Sequence, residues 1–311
     1  MSYAPRPGVT PSDTPMLFYT VDNLGDMLCT TPTVRAFRRM HPEAFFAYVV
    51  HNAEYCRILD GNPDVDLVLY REDLSTHGES IVDEAWLRQL PVPGNGARRL
   101  CRFDVQATHR RDPSVFQDHV SWAFARRHGV ALDSVRPVVA LSADERARAA
   151  KLLRRPSIVF GMHTTTAMKG PDGELTMKDW MLDRWLRLAR RIHAWDRFDI
   201  IAVGSAVDRQ VTSRYFRNLY GLPIKILAAL LAQAACVVTV EAGLSHICHA
   251  VDAPMVLIFS KVVPYAWAYP REATRCRAIY DDPRSITCDD VVAEIEGIID
   301  GPRTARAAPR P

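Results

Sequence analysis

The first residues that suggest chemistry follow a short apolar segment near the start of the chain. Residues 16–21 are apolar and rich in strand formers, and Asn23-Leu-Gly25-Asp26 comes shortly after them. Open parallel sheets hold ligands at the carboxyl ends of their strands, so a carboxylate at Asp26 can accept the proton of an incoming hydroxyl group. The same aspartate can instead cap the helix that follows, and its position alone leaves both interpretations open. The turn lacks the G-x-G-x-x-G pattern of dinucleotide-binding strands.

A second segment with the same order of strand, turn and helix lies in the other half of the chain. Val240-Glu241-Ala242-Gly243 leads into a predicted helix that carries His246. Backbone N–H groups at such a helix start, together with the positive end of the helix dipole, can hold a diphosphate. His246 is equally compatible with a hydrogen-bonded histidine of the core.

The loop before the predicted helix at 182–195 carries hydroxyl groups and a cation. Thr165 and Thr166 lie early in this loop, and Lys178 lies near its end. Together they would stabilise a leaving group that gains negative charge. Each is weak evidence by itself, because threonines and a lysine are common on surface loops. We expect Lys178 to be exposed.

Two patterns raise the question of a bound metal. The seven cysteines form no C-x-x-C pair, and we expect mostly buried thiols. His246 and His249 share one helix face, but a closed zinc site needs two further ligands. Asp64-Val-Asp66 has the D-x-D spacing of a metal motif, yet it follows an Asn-Pro pair and precedes a strand. We interpret these aspartates as turn residues and predict no metal site.

Length and composition suit an ordinary protein of two domains. The chain has 311 residues, 48% hydrophobic and 24% charged, with a net charge of +3. This length suits two domains of about 150 residues each, and the charge gives no case for a nucleic-acid partner. No apolar run approaches the roughly 20 residues that span a bilayer, and the Pro-rich start lacks the apolar stretch of a signal peptide. We expect a cytoplasmic protein with at most peripheral membrane contact.

Strands and helices alternate along both halves, which predicts an α/β protein with parallel sheets. The predicted strands lie at residues 16–21, 44–50, 67–70, 102–107, 157–161, 198–203, 236–240 and 255–259. Two predicted helices are ended by prolines, at Pro42 and at Pro156. The other predicted helices span residues 53–59, 114–127, 182–195, 208–218, 226–234, 244–251 and 289–299. We expect a disordered basic tail at 301–311. The domain boundary falls between residues 141 and 157. We therefore predict domains at 1–150 and 151–311, with a ligand cleft between them.

Several motifs follow one another along the chain in a specific order. The first half contains Gly25-Asp26-Met-Leu-Cys-Thr-Thr-Pro32, Arg35-Ala-Phe-Arg38 and Asn62-Pro63-Asp64-Val-Asp66. The second half contains Lys178-Asp-Trp180, Val203-Gly204, Asn218-Leu-Tyr-Gly221 and Glu241-Ala-Gly243-Leu-Ser-His246. In order and spacing these motifs resemble glycosyltransferase family 9, whose members are similar to the ADP-heptose:lipopolysaccharide heptosyltransferases.

This resemblance implies a GT-B fold, in which two Rossmann-like α/β/α domains face each other across a central cleft. It also implies an inverting transfer of a sugar, with heptose favoured, from a nucleotide-diphosphate donor, with an ADP-linked donor favoured. The resemblance implies that no cofactor and no metal are needed. Asp26 then takes the position of the catalytic base, and Lys178 faces the donor diphosphate. The remaining implied donor-binding residues are Gly25, Thr165, Thr166, Gly204, Leu222, Glu241, Ala242, Gly243 and His246.

The chain departs from the family pattern at one motif. The family usually has Asp-Thr-Gly or Asp-Ser-Gly where this chain has Glu241-Ala242-Gly243. The loop between Thr166 and Lys178 also looks longer than in the family. Donor geometry or identity can therefore differ.

The acceptor is not named by the sequence, and a glycan, lipid-linked, protein or small-metabolite acceptor all remain open. His109, Arg110 and Arg111 follow a predicted strand and would suit an anionic acceptor, or else form a solvated basic turn. Two other functions also remain open. One is a non-catalytic nucleotide-sugar-binding or assembly protein of the same fold, and the other is a GT-B-like epimerase or phosphorylase.

Overall fold

The computed structural model describes residues 15–20, 23–72, 90, 99–103, 105, 118–164, 178–208, 210–261, 263, 265–269 and 275–301. In the first half, the described strands form one parallel sheet in the order β3-β2-β1-β4. The strands are β1 (Met16–Thr20), β2 (Phe46–Val50), β3 (Leu67–Tyr70) and β4 (Arg99–Phe103). The chain builds outward from β1 to β3 and then crosses to the other side of β1.

A second parallel sheet forms in the other half, in the order β10-β9-β8-β5-β6-β7. Its strands are β5 (Ser157–Gly161), β6 (Asp199–Gly204), β7 (Arg217–Tyr220), β8 (Cys236–Val240), β9 (Met255–Ser260) and β10 (Cys276–Asp281). The strand order reverses between β5 and β8, because β5 leads outward to β6 and β7 before β8 pairs on its other side. Such switch points are where open α/β sheets bind ligands.

Helices cover the sheets and close the core. In the described residues they are α1 (Leu24–Met40), α2 (Ala53–Leu59), α3 (Val120–His128), α4 (Ala143–Ala150), α5 (Leu182–His193), α6 (Ile224–Gln233), α7 (Gly243–Ala250) and α8 (Cys288–Ile299). One buried apolar cluster runs from β1 and α1 through α3 into α6 and α7, so the two halves share a continuous core. Among these helices none is both long enough and apolar enough to cross a membrane.

Most predicted elements are present, with three corrections in the sheets and their connections. The predicted helix at 208–218 is wrong, since Asp208 folds back to accept a hydrogen bond from the backbone of Ser205, and residues 217–220 form β7. The strand predicted at 102–107 is shifted and ends at Phe103. The edge strand β10 was not predicted, because most of its side chains are exposed and its sequence lacks a long apolar run.

The helix predicted from residue 114 begins only at Val120. His119 is its N-cap, and its Nδ1 accepts a hydrogen bond from the backbone N–H of Ser121 at 3.2 Å. The predicted start of α4 is confirmed by a capping box between Ser142 and Glu145. The prediction of mostly buried cysteines is also confirmed, since five of the seven are buried.

The two aspartates of the D-x-D sequence form ion pairs with α1 in the first half of the chain. Asp64 accepts a hydrogen bond from Arg35 Nε at 2.9 Å, and Asp66 accepts one from Arg38 Nη2 at 2.5 Å. The Asn62 Oδ1 accepts a hydrogen bond from the backbone N–H of Asp64, which closes an Asx turn. Both carboxylates therefore anchor the turn before β3 to α1, as the turn interpretation predicts.

Candidate active site

The site is built where two helix starts meet. Helix α1 begins just after β1, and α7 begins directly after β8 at the switch point of the second sheet. The two helices pack closely: a Cβ on Gly25 would lie 2.6 Å from His246 Cδ2, which is closer than real Cβ contacts come. A Cβ on Gly243 would lie 3.2 Å from Leu24 Cδ2, which is also a tight contact. Small residues at both helix starts thus let them approach.

Asp26 lies in the first turn of α1 and faces the second half of the chain. The N-cap of this helix is Asn23, so the capping interpretation of Asp26 is wrong. The side chain is partly buried, and its Oδ1 accepts a hydrogen bond from Trp267 Nε1 at 2.9 Å. Burial raises the pKa of the carboxyl group above its ordinary value, although the Trp267 bond opposes this. A raised pKa makes the carboxylate a better proton acceptor.

Lys178, Glu241 and His246 form a buried charged cluster beside Asp26. Lys178 Nζ lies 2.5 Å from Glu241 Oε2, and His246 Nε2 lies 3.6 Å from the other oxygen, Oε1. The expected exposure of Lys178 is wrong, since the residue is only 8% exposed and Glu241 5%. Its pairing with Glu241, which lies far away in sequence, draws the lysine inward.

The protonation states of this cluster follow from its contacts. Burial alone would raise the pKa of Glu241, but contact with His246 and the charge of Lys178 lower it to about 2. Burial alone would lower the pKa of His246, but Cys29 and Glu241 raise it to about 10. At neutral pH the cluster thus holds an ionised carboxylate between two cations.

Tyr269 fixes the far side of the His246 ring. Its hydroxyl lies 2.9 Å from His246 Nδ1 and 3.4 Å from Cys29 Sγ. The rings of His119 and His249 lie 4.2 and 3.9 Å from the Tyr269 ring. Burial lowers the pKa of His119 to about 3 and that of His249 well below its ordinary value, so both rings are neutral. His246 is therefore hydrogen-bonded within the core and also reaches Glu241.

The other predicted donor residues lie at the same edge of the second sheet. Gly204 ends β6 beside the Tyr220 ring, and Leu222 follows β7 after Gly221, whose φ is +70°. His163, after β5, lies 3.1 Å from the Tyr220 hydroxyl through its Nε2. The carboxyl ends of these parallel strands thus surround the start of α7.

Ala242 is the N-cap of α7, and the Ser245 hydroxyl contacts its backbone. The Ser245 hydroxyl donates to the Ala242 carbonyl at 2.7 Å and lies 3.4 Å from its N–H. The predicted residues Thr165, Thr166, His109, Arg110 and Arg111 lie outside the described residues.

The sequence analysis missed Trp267, Tyr269 and Cys29. The first two follow β9, the neighbour of β8, in the aromatic-rich stretch Tyr265-Ala-Trp267-Ala-Tyr269. Because β9 ends at the same sheet edge as β8, aromatic residues just beyond it were the available signal. Cys29 lies one turn after Asp26 on α1, where the apolar pattern makes it look like an ordinary core residue.

Within the described residues, no three His, Cys, Asp or Glu side chains are grouped so as to hold a metal ion. The charges in the site instead come from lysine, histidine and carboxylate side chains that contact one another.

Comparisons with solved structures identify the fold. A family 9 glycosyl transferase from Veillonella parvula matches with a TM-score of 0.69 at 12% identity, over 93% of this chain and 99% of that one. The E. coli heptosyltransferase WaaC with ADP-2-deoxy-2-fluoro heptose matches with a TM-score of 0.63 at 18% identity, over 90% and 99%. The iron-containing dodecameric glycosyltransferase TibC from enterotoxigenic E. coli matches with a TM-score of 0.60 at 15% identity, over 94% and 76%. These similarities confirm the predicted α/β GT-B fold.

Sequence comparison identifies the family. A search of curated proteins finds no significant match to this chain. A model of glycosyltransferase family 9 (heptosyltransferase) matches residues 95–285, which include Lys178 and the Glu241 motif. The match covers more than half of the chain and includes the motif at the start of α7, whereas the Gly25-Asp26 motif of α1 lies before it. The chain therefore belongs to glycosyltransferase family 9.

Proposed function

We propose that this chain is an inverting, metal-independent glycosyltransferase that moves a heptose from an ADP-linked donor to an acceptor hydroxyl group. One observation carries this proposal: the Asp26 carboxylate lies at the meeting point of α1 and α7, where the charges of His246 and Lys178 act on it. Transfer from a nucleotide diphosphate needs a base for the acceptor and positive charge for the leaving group. Both are present at this junction.

The donor diphosphate would bind at the start of α7. The backbone N–H groups and dipole of that helix favour an anion, and Lys178 and protonated His246 add positive charge. In this proposal the diphosphate competes with Glu241 for Lys178, and Glu241 turns to hydroxyl groups of the donor. Thr165 and Thr166 complete the diphosphate site, and Gly204 and Leu222 border the nucleoside.

The chemical step is a single displacement at the anomeric carbon. The acceptor oxygen forms a bond to that carbon while the bond from the carbon to the β-phosphate oxygen breaks. The electron pair leaves with the nucleoside diphosphate, and the acceptor proton passes to Asp26. Attack opposite the leaving group inverts the anomeric configuration.

The two halves of the chain divide the substrates in this proposal. Residues 151–311, which contain the six-stranded sheet, bind the nucleotide sugar. Residues 1–150, which contain the four-stranded sheet and Asp26, bind the acceptor. An anionic glycan or lipid-linked acceptor would meet His109, Arg110 and Arg111. The donor assignment is supported by WaaC, the similar structure that was solved with an ADP-heptose analogue.

The decisive experiment compares Asp26→Asn with the parent protein. We expect transfer to fall by about 10²–10⁴-fold, because general-base catalysis contributes about that factor. The affinity for ADP should stay within about threefold, since Asp26 acts on the acceptor. Release of ADP from ADP-heptose and calorimetric ADP binding would measure the two effects.

Asp144→Asn is the matched control, because Asp144 also lies in the first turn of a helix but is exposed. Its activity should equal that of the parent. Transfer by Asp26→Asn within about tenfold of the parent would remove Asp26 from the role of base.

A second candidate is a nucleotide-sugar-binding protein without turnover. It is favoured by the Lys178–Glu241 ion pair, because the lysine that the diphosphate would need is already paired with a carboxylate. ADP binding with no release of the nucleoside diphosphate from any of the ADP-, GDP- and UDP-sugars would support this candidate.

A further inference from the structure

The segment after β9 reaches from the second half of the chain to α1. Trp267 Nε1 donates to Asp26 Oδ1 at 2.9 Å, and the Tyr269 hydroxyl lies 3.4 Å from Cys29 Sγ. Asp26 and Cys29 are one helical turn apart on α1, so these two aromatic residues contact neighbouring positions of the same helix face. The contacts join residues that are 240 or more positions apart in the chain.

We propose that Trp267 is a positioning residue for Asp26, which it orients by holding one carboxylate oxygen and leaving the other for the acceptor proton. This inference rests on the proposed role of Asp26 as base. Among the described residues, the Trp267 bond is the hydrogen bond made by the Asp26 side chain. Because the donor comes from the other half of the chain, the base is oriented only when the two halves are in contact.

An indole is suited to this task because its N–H only donates and does not titrate. The groups that face Asp26 are otherwise charged or titratable: His246 and Glu241 from α7 and its preceding turn, Lys178 before α5, and Tyr269 beside Trp267. A neutral donor stabilises the ionised carboxylate without adding a charge to this crowded site. It also keeps the carboxylate from rotating toward the Lys178 ammonium group, which the donor needs.

Trp267→Phe removes the donor and keeps an aromatic ring. A hydrogen bond to a charged group typically shifts an equilibrium by about tenfold or more, so the pKa of Asp26 should rise by about one unit. The acid limb of the kcat/KM profile should therefore move up by about one pH unit. At pH values below the shifted pKa, kcat should fall by up to about tenfold and should recover at higher pH, where Asp26 is again ionised, while KM for the donor changes little.

The activity measurement follows ADP release from ADP-heptose with lipopolysaccharide as the acceptor, between pH 5 and 9. Trp195→Phe is the matched control, because Trp195 packs on Phe198 beyond α5, away from Asp26. The inference predicts a shifted profile for Trp267→Phe and an unchanged one for Trp195→Phe. Identical profiles for Trp267→Phe and the parent would overturn it.

A second measurement does not need turnover. In protein labelled with ¹⁵N at the tryptophan indoles, the Trp267 signal is identified by its loss in Trp267→Phe. We expect this signal to titrate with Asp26 in the parent and to lose that titration in Asp26→Asn. A signal that does not titrate would overturn the inference.

The two measurements separate this inference from the proposed function. If the parent releases no nucleoside diphosphate from any donor, the proposed function fails, and the indole titration alone decides the Trp267 contact. If Trp267→Phe does not fold, an indole signal that titrates in the parent and stops titrating in Asp26→Asn still tests the contact. Turnover by the parent with an unshifted Trp267→Phe profile would contradict only the inference.

Discussion

Lys178 and Glu241 form a buried ion pair at the position where we propose that the donor diphosphate binds. Each is buried, so each would be a costly isolated charge without the other. In the proposed function the donor diphosphate binds the same lysine, so the ion pair would hold Lys178 in place until the diphosphate competes for it. The sequence indicated both residues as donor-binding candidates but not that they pair, because they are 63 positions apart.

Lys178→Met should reduce both stability and donor turnover. Removing one member of a buried pair typically costs about 3–5 kcal/mol, because the remaining charge stays buried and unpaired. The double variant Lys178→Met with Glu241→Gln should regain most of the unfolding free energy but not the turnover. Urea unfolding and ADP release measure the two quantities.

The exposed pair Lys261–Asp281 supplies the control, and Lys261→Met should change the unfolding free energy by less than about 1 kcal/mol. Full turnover by the double variant would show that Lys178 has no role toward the donor. A double variant as unstable as Lys178→Met would show that packing, not charge pairing, is what the lysine contributes.

At the scale of elements, the site depends on how closely α1 approaches α7. Gly25 faces the edge of the His246 imidazole, and there is no room for a Cβ between them. The sequence suggested that Gly25 lies in the turn after β1, whereas the structure places it in the first turn of α1. The reason for glycine was not visible in the sequence. Gly25 closely approaches the ring of His246, which lies 221 positions further along the chain.

Gly25→Ala should separate the two helix starts and displace His246 from Glu241. We expect loss of most transfer activity and a lower melting temperature, since the new methyl group would meet a buried ring rather than a flexible chain end. Activity and thermal unfolding of the full chain measure the effect.

Gly297→Ala is the matched control, because Gly297 is also helical but its added Cβ would meet the flexible end of Arg277. That variant should be neutral or slightly more stable, as alanine favours a helix by about 0.5–1 kcal/mol over glycine. Parent-like activity in Gly25→Ala would show that the helix contact tolerates a shift.

The N-terminus of α3 makes stability depend on pH. His119 caps this helix and is neutral when folded, with a pKa of about 3, whereas an unfolded histidine has a pKa of about 6.5. Below about pH 6.5 the unfolded state therefore binds more protons than the folded state. Stability should fall as the pH drops from about 6.5 toward 3, and His249 acts in the same direction.

His119→Asn tests this dependence, because asparagine also caps helices but does not titrate in this range. Between pH 7.5 and 5, the variant should lose about 2 kcal/mol less unfolding free energy than the parent, which is the linkage expected for one histidine over that interval. Urea unfolding at the two pH values measures it. Equal losses in both proteins would mean that His119 is not neutral in the folded state.

At the scale of the whole molecule, the sequence predicted the alternation of strands and helices, the parallel sheets and the GT-B class. Periodic apolar segments and strong caps carried the prediction of alternating strands and helices, as at β1 and at Ser142, whereas the GT-B class came from the family resemblance. The edge strands β7 and β10 were not predicted, because these strands lack a continuous apolar run. The contacts between halves were not predicted either, since those of Trp267 with Asp26 and of Tyr269 with Cys29 exist only after both sheets are assembled.

The distribution of charge between the two halves gives the last prediction, that transfer survives removal of divalent metal ions. A metal ion helps nucleotide-sugar transfer by neutralising the diphosphate as it leaves. Here Lys178, protonated His246 and the start of α7 supply positive charge at the same place. Asp64 and Asp66 are engaged by the arginines of α1 and would have to leave them to bind an ion.

The measurement is ADP release after dialysis against EDTA, with the metal content of the protein determined before and after. Activity should stay within about twofold of the untreated protein, because the cationic side chains remain in place. The control is Lys178→Met, which should stay inactive whether or not Mg²⁺ is added. If EDTA abolishes turnover and Mg²⁺ or Mn²⁺ restores it, the side chains do not neutralise the leaving group by themselves. If Mg²⁺ rescues Lys178→Met, the lysine and a metal ion are interchangeable at the diphosphate.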